Sequence, residues 1–182
     1  MKLLVIGSGM MGSAAAFDMA RTPQVSSVTL ADNDVKRARE VAARVNRITG
    51  DRKVRAVALD ASDEKAATKL MDGHNAALSA VPYFLTLGLA RAAVEARCHF
   101  ADLGGNNTVV RQELALSKKA EKRGVALAPD CGRSPREWRR SWVESWYAGS
   151  EGARTLCGFM LEACPRNPRR HFTTSWFFPW KA

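Results

Sequence analysis

The chain has no apolar run near the ~20 residues that a bilayer-spanning helix requires, which excludes an integral membrane protein of that kind. Its opening apolar run stops at Gly7, too early for a secretory signal with a cleavage site. The sequence therefore predicts a cytoplasmic protein that keeps its N-terminus. The cysteines (Cys98, Cys131, Cys157 and Cys164) form no CxxC and no metal-ligand spacing, which predicts free thiols in a reducing compartment and no metal site. Histidine is scarce: His74 reads as a solvated loop residue, His99 as a structural residue opening a strand, and His171 falls in an atypical C-terminal stretch. Repeats and low-complexity segments are absent. Residues 1–132 also lack tryptophan altogether, although the chain contains five.

That last absence divides the chain. The net charge of +10 would ordinarily suggest a nucleic-acid partner, but it is unevenly spread. Residues 1–132 hold 19 Lys and Arg against 14 Asp and Glu, whereas residues 133–182 hold 9 against 4, so each part carries +5 despite very different lengths. All five tryptophans (Trp138, Trp142, Trp146, Trp176 and Trp180) and four of the seven prolines follow Gly132. The runs Lys36-Arg37 and Lys118-Lys119 read as solvated helix faces without interleaved aromatics, so no nucleic-acid surface is expected in the first part.

Residues 1–132 alternate short apolar runs with amphipathic stretches. Strands are expected over Leu3 to Ile6, Val28 to Ala31, Val54 to Leu59, Ala76 to Val81, Phe100 to Leu103 and Val125 to Ala128. Helices are expected over Met10 to Arg21, Asp34 to Ile48, Asp63 to Met71, Phe84 to Arg97 and Val109 to Arg123. Six strands with intervening helices predict an α/β Rossmann-type fold, a doubly wound parallel sheet whose strands are apolar on both faces.

The motifs fall at the ends of those strands. Gly7-Ser8-Gly9-Met10-Met11-Gly12 is a GxGxxG between the first strand and the first helix. In that setting the first glycine allows the turn, the second lets a pyrophosphate approach the backbone, and the third lets helix and strand pack closely. The second strand ends at Asp32, 20 residues after Gly12, where a carboxylate meets the adenosine ribose. Asp32, followed by Asn33 rather than arginine, favours NAD; nearby Lys36 and Arg37 leave NADP as the alternative. Asp60, past the third strand, joins the cofactor-binding set. Ala80-Val81-Pro82-Tyr83, Asp102-Leu103-Gly104-Gly105-Asn106 and Pro129-Asp130-Cys131-Gly132 close the last three strands, at the edge where open α/β sheets bind ligands. Each is ordinary turn chemistry alone; together they mark a nicotinamide-side site.

The glycine motif, Asp32, Ser79-Ala80-Val81-Pro82-Tyr83-Phe84 and His99-Phe100-Ala101-Asp102-Leu103-Gly104-Gly105-Asn106 resemble the saccharopine dehydrogenase-like reductases, in particular the lysine 6-dehydrogenase type. The likeness covers residues 1–132. It implies a cofactor domain followed by an α+β domain that holds a small amino-acid substrate and supports a homodimer. The implied chemistry is NAD(P)-linked oxidation at an amine-bearing carbon, or the reverse imine reduction. It places Ala80, Val81, Pro82, Gly104 and Gly105 around the cofactor and Tyr83, Asp102 and Cys131 around nicotinamide and substrate. Asp102 would orient the amine or transfer a proton. Cys131 would need a depressed pKa for acid–base work near neutrality.

After Asp130-Cys131-Gly132 the resemblance stops. The family continues with a stretch like Leu-Ala-Pro-Gly-Met-Ala, where this chain reads Arg133-Ser134-Pro135-Arg136-Glu137-Trp138. If Ser134 to Trp142 is encoded TCG CCC CGG GAA TGG CGT CGG TCC TGG, a start one base earlier yields Ala-Pro-Gly-Met-Ala-Ser-Val-Leu after an apolar residue. The same phase over Leu156 to Pro165 yields, with suitable codons, Leu-Arg-Ile-Tyr-Val-Gly-Gly-Leu-Pro-Gln, and over His171 to Ala182 another strand-like text. The expectation is that residues 133–182 are an out-of-frame reading of a substrate domain, leaving a truncated and inactive enzyme. Two alternatives stand beside it: an amphipathic helix striped by Trp138, Trp142 and Trp146, and a non-catalytic nucleotide-binding module whose basic tail contacts a partner or RNA.

Overall fold

The structure, a computed structural model, describes residues 1–132; the expectations for residues 133–182 lie outside the described residues, as do Cys157, Cys164 and His171. Six strands run β1 Lys2–Ile6, β2 Ser27–Asp32, β3 Val54–Ala58, β4 Ala76–Ser79, β5 His99–Asp102 and β6 Leu127–Ala128. They form one parallel sheet in the order β3-β2-β1-β4-β5-β6, so the order reverses between β1 and β4. This is the doubly wound arrangement expected from the alternating pattern, and it opens a crevice at the carboxyl ends of β1 and β4.

The six helices are α1 Met10–Arg21, α2 Val35–Thr49, α3 Glu64–Met71, α4 Thr86–Ala96, α5 Asn107–Leu114 and α6 Ser117–Lys122. They cover both faces of the sheet, which explains why the strands show no polar alternation. On one face Val5, Leu30, Leu78 and Ala101 pack with Met19, Ala20, Ala38 and Val45 from α1 and α2. On the other, Leu4, Ile6, Ala77 and Phe100 pack with Met71, Leu89, Ala93 and Ala120. Among the described residues no helix is long and apolar enough to cross a membrane.

Two helices depart from expectation. The stretch Val109 to Arg123, expected as one helix, is split into α5 and α6. The Ser117 hydroxyl donates back to the Leu114 carbonyl, and i to i+3 bonds from Leu116 N to Glu113 O (3.0 Å) and Lys119 N to Leu116 O (2.9 Å) tighten the junction. A serine competing for backbone acceptors interrupts a helix that hydrophobic spacing alone would continue. The helix expected from Phe84 starts as a 3-10 turn, Tyr83–Leu85, that leads into α4 after Pro82. His74 is also corrected: it is half-buried, with Nε2 2.9 Å from the Thr29 hydroxyl, and burial lowers its pKa. His99 is structural, its Nδ1 accepting the Ala126 N–H at 3.0 Å.

Candidate functional site

The site follows the carboxyl edge of the sheet and has two ends. At the β1–β2 end, Gly7 has φ +101°, and a Cβ there would lie 2.7 Å from the Ala80 carbonyl oxygen. A Cβ on Gly12 would come within 1.8 Å of the Gly7 carbonyl, backbone against backbone. These two glycines are obligatory for the turn and for α1 to sit against the sheet. A Cβ on Gly9 would meet the Arg37 guanidinium at 3.2 Å, which puts that cation over the glycine loop.

The N-terminus of α1 is left uncapped: Gly9 occupies the cap position and no side chain accepts from the first turn. The Ser8 hydroxyl turns away to Asp32, and the Ser13 hydroxyl donates to the Ser8 and Gly9 carbonyls. Ser8 N and Oγ both donate to Asp32 Oδ2, at 2.5 and 2.6 Å, and Asp34 N donates to Oδ1 at 3.0 Å. Burial alone would raise the Asp32 pKa, but these hydrogen bonds and the Arg37 charge outweigh it and hold the carboxylate below its ordinary range. The result is an ionised acceptor beside an unsatisfied helix N-terminus, a pairing suited to a ribose and a pyrophosphate. Asn33 accepts the Asp34 N–H at 2.8 Å, and Met10 and Met11 stand exposed on the first turn of α1. Asp60 lies exposed past β3, its Oδ1 held by Ser62 N (2.9 Å) and Oγ (2.7 Å).

The β4–β5–β6 end is built differently. Asp102 closes β5 and is buried, 1% exposed. Its Oδ1 accepts from Gly104 N (2.6 Å) and Asp130 N (3.2 Å), while Oδ2 has no partner. Burial pushes its pKa up to about 6, the charge of Asp130 adding to the effect and the two N–H donors opposing it. Gly104 (φ +74°) is required here, because a Cβ would strike Asp130 Oδ1 at 1.8 Å. Asp130 itself adopts a left-handed conformation at φ 59°. Gly105 lies against the Tyr83 side chain, 3.5 Å from a would-be Cβ to the Tyr83 Cβ, and Tyr83 is half exposed with its ring edge-on to Phe84.

Of the three residues expected around the nicotinamide, Asp102 and Tyr83 border the Gly104-Gly105 turn from either side. Cys131 is tied to Asp102 through the backbone, its N–H donating to the Asp102 carbonyl at 2.7 Å, while its side chain packs with Leu103 and Ala128 and its thiol donates to the Ala128 carbonyl at 3.1 Å. Ala80, Val81 and Pro82 line the β4 side of the crevice, Ala80 facing Gly7 and Gly12. Cys98 is buried, with its thiol pushed up to about 12, and is chemically inert; neither Cys98 nor Cys131 is bridged. Among the described residues no group of side chains is placed to hold a metal.

Sequence reasoning missed Glu113. It is 2% exposed on α5, burial pushes its pKa up to about 7, and the charges of Asp102 and Asp130 add to the shift. A lone glutamate in an amphipathic helix carries no sequence signal of burial. Ser8 as the partner of Asp32 was equally hidden, since the motif reads that position as variable.

The family described as "Saccharopine dehydrogenase NADP binding domain" matches residues 3–128. Among solved structures, the apo saccharopine dehydrogenase (L-Glu forming) of Saccharomyces cerevisiae is 19% identical, with a TM-score of 0.58 over 71% of this chain and 26% of that one. An NAD-binding oxidoreductase from Klebsiella pneumoniae is 21% identical, with a TM-score of 0.52 over 71% and 34%. A UDP-N-acetylglucosamine 3-dehydrogenase from Acidithiobacillus ferrooxidans is 24% identical, with a TM-score of 0.52 over 72% and 38%. These likenesses establish the fold, and the chain spans about a quarter to two-fifths of the length of those structures. With 126 consecutive residues matched, the chain belongs to the saccharopine dehydrogenase NAD(P)-binding family.

Proposed function

We propose that residues 1–132 are the cofactor half of an NAD(P)-linked oxidoreductase acting on a carbon–nitrogen bond, of the lysine 6-dehydrogenase type. The observation that carries the reading is the pairing of an uncapped α1 N-terminus, fronted by glycines that admit no Cβ, with a buried carboxyl at the far end of the same crevice. The first suits a pyrophosphate; the second suits a group that orients an amine or takes its proton near neutral pH. The nicotinamide ring, when bound, supplies the hydride acceptor. The chain's own residues do the rest: α1 holds the phosphates, Asp32 holds the ribose hydroxyls, and Asp102 serves the nitrogen.

NAD is the preferred cofactor in this reading. Asp32 is ionised and fixed by Ser8, so it repels a 2′-phosphate, although Arg37 beside Gly9 supplies the positive charge by which NADP would still bind. Calorimetric titration of the 182-residue chain with each dinucleotide tests this. Tighter NAD binding is expected, and a clear NADP preference would sink the role given to Asp32.

The described residues supply only the cofactor side of the reaction. Hydride transfer needs both reactants held in register, so the chain alone is expected to bind dinucleotide with little turnover. Robust lysine-dependent NAD reduction by the purified chain would overturn that. Residues 133–182 are proposed to be an out-of-frame stretch, a reading supported by the shifted-phase text and by the break in composition at Gly132. The nucleotide sequence decides it: codons from Arg133 onward that do not read as a substrate domain in the shifted phase end the idea.

A further inference from the structure

The chain after β6 folds back over the end of β5 through three consecutive N–H groups. Asp130 N donates to Asp102 Oδ1 at 3.2 Å, Cys131 N to the Asp102 carbonyl at 2.7 Å, and Gly132 N to the Leu103 carbonyl at 3.1 Å. Asp130 makes this strap possible by taking a left-handed conformation, φ 59°. Its carboxyl then lies over Gly104: a Cβ on Gly104 would be 1.8 Å from Asp130 Oδ1, while Gly104 N donates to Asp102 Oδ1 at 2.6 Å. The two carboxyls therefore flank a single Cα, that of Gly104.

Aspartate is a costly residue at this turn. A left-handed backbone suits glycine, and asparagine tolerates it as well without a charge. Among the described residues Asp130 Oδ1 is buried with no hydrogen-bond partner, and so is Asp102 Oδ2. Neither carboxyl joins an ion pair there; those pairs link Lys53 to Asp51, Arg91 to Glu64, and Lys119 and Arg123 to Glu95. Glycine or asparagine would serve the turn without this burden, so the Asp130 carboxyl answers to something other than the fold. A third oxygen joins the two. Ser79 Oγ is 0% exposed, has no partner, and lies across the β4–β5 ladder from Asp102. Registered residues of neighbouring strands point to the same side of a sheet, so this hydroxyl and the Asp102 carboxyl share one face. Three partnerless oxygens, two of them on carboxyls, thus gather at the end of β5. A primary ammonium brings three N–H donors and the positive charge that this corner lacks.

We propose that this corner binds a primary amine as its ammonium, with Asp130 as a second catalytic carboxyl beside Asp102. The chemistry rests on the role given to Asp102 under the proposed function. Asp130 is half-buried and Asp102 is 1% exposed, so an incoming amine meets Asp130 first. The ammonium then transfers one proton to Asp102, which, pushed up to about 6, is ionised at neutral pH yet basic enough to take it. The nitrogen lone pair so freed forms the C=N bond as the C–H bond breaks and its electron pair leaves to the nicotinamide. The resulting iminium is again a cation, and ionised Asp130 faces it. Imine reduction runs the same steps backward.

The test is 1H–15N NMR of the whole 182-residue chain, titrated with n-butylammonium and separately with n-butanol, in wild type, Asp130→Asn and Asp130→Gly. In wild type, butylammonium is expected to give saturable shifts of the Gly104, Asp130 and Cys131 amides, and butanol none. Both variants should weaken butylammonium binding about tenfold, the loss expected for one charge-assisted hydrogen bond. Asp130→Asn should also raise the urea midpoint at neutral pH, because it removes a buried charge without a partner. The proposal is overturned if wild type shows no saturable shift, if the variants bind butylammonium as well as wild type, or if butanol shifts the same amides as strongly. A lower urea midpoint in Asp130→Asn would also overturn it, by making the carboxyl a structural part of the turn. Dinucleotide titration of the same samples keeps the two readings apart: amine binding without cofactor binding would defeat the proposed function and leave the amine corner standing, and the converse would strike the corner alone.

Discussion

Asp32 and Asp102 occupy equivalent places in the topology, each the last residue of a strand at the same sheet edge, yet the fold treats them in opposite ways. Asp32 receives hydrogen bonds on both oxygens and stays ionised; Asp102 receives them on one oxygen only and is pushed up to about 6. The difference lies in what surrounds them. Asp32 is half-buried beside an exposed loop and the Arg37 cation, whereas Asp102 is buried beside Asp130 and forms no ion pair among the described residues. In the proposed function, one end of the crevice holds a neutral polyhydroxyl group and phosphates, and the other handles protons. A residue's place in the topology therefore fixes where its charge sits, and its neighbours decide whether that charge is kept.

The comparison breaks most severely through the glycines. Gly12→Ala drives a Cβ against the Gly7 carbonyl, where neither partner is a movable side chain. It is expected to cost about 3 kcal/mol or more in urea unfolding and to abolish dinucleotide binding. Gly104→Ala meets Asp130 at the other end and must also hold φ +74°, so it should destabilise comparably while leaving the α1 N-terminus intact. If Gly104→Ala removes cofactor binding as completely as Gly12→Ala does, the two ends are not separable.

The second prediction concerns the sign of the pH dependence. A carboxyl whose folded pKa is depressed, as for Asp32, contributes stability present above its unfolded value and lost in acid. Asp102 and Glu113 are raised, to about 6 and about 7, so the folded state binds more protons than the unfolded one. Their effect is to lower stability as pH rises from about 4 to about 7, after which it levels off. For Glu113 that penalty is on the order of 3 kcal/mol at pH 8; an unpaired amide returns about 1, so Glu113→Gln should stabilise the chain by about 2 kcal/mol. At pH 4 the same substitution should have no stabilising effect. Chemical denaturation at the two pH values measures this, and equal effects at both would show that ionisation is not the cause.

This contrast also marks what the sequence revealed. The sheet order, the glycine loop and Asp32 were legible because each depends on local chemistry at fixed spacing: an apolar run, a residue without a Cβ, a carboxylate at a strand end. Asp102 and Asp130 were visible as turn residues, but their shared burial depends on β5 and β6 lying side by side, a non-local fact. Glu113 had no local sign at all. The helix containing it was even read as continuous, because a hydroxyl competing for the Leu114 carbonyl leaves no trace in hydrophobic periodicity. His74 was misread for a similar reason, since its partner Thr29 lies 45 residues away.

A third prediction sharpens the β2 end. Asp32→Asn keeps the shape but removes the charge that faces the ribose and repels a 2′-phosphate. NAD affinity should fall about tenfold, roughly 1.4 kcal/mol, while NADP affinity rises. Ser8→Ala should act in the same direction more weakly, because the Ser8 N–H still reaches Oδ2 at 2.5 Å. Fluorescence titration with both dinucleotides provides the measurement; unchanged selectivity in Asp32→Asn would move the discriminating role to Arg37.

The smallest effect is also the most discriminating between the two ends. Asp34 caps α2, accepting from Arg37 N at 3.0 Å, and Asn106 caps α5, accepting from Thr108 N (2.8 Å) and Val109 N (3.3 Å). Replacing either cap with alanine should cost about 1 kcal/mol. The consequences should nevertheless differ, because α2 has 15 residues and three buried anchors, Ala38, Ala42 and Val45, whereas α5 has eight residues and one buried side chain, Glu113. A short helix whose single buried residue is an unpaired carboxyl has little to hold it once its cap is lost. Asn106→Ala is therefore expected to lower amide protection factors, taken against the intrinsic exchange rate at each pH, throughout α5, and more so at pH 8 than at pH 5, because ionised Glu113 favours leaving the interior. Asp34→Ala should show no such pH dependence in α2. Equal, pH-independent changes in protection factor in the two helices would mean that α5 is held by its backbone alone and that the Glu113 carboxyl exerts no outward pull.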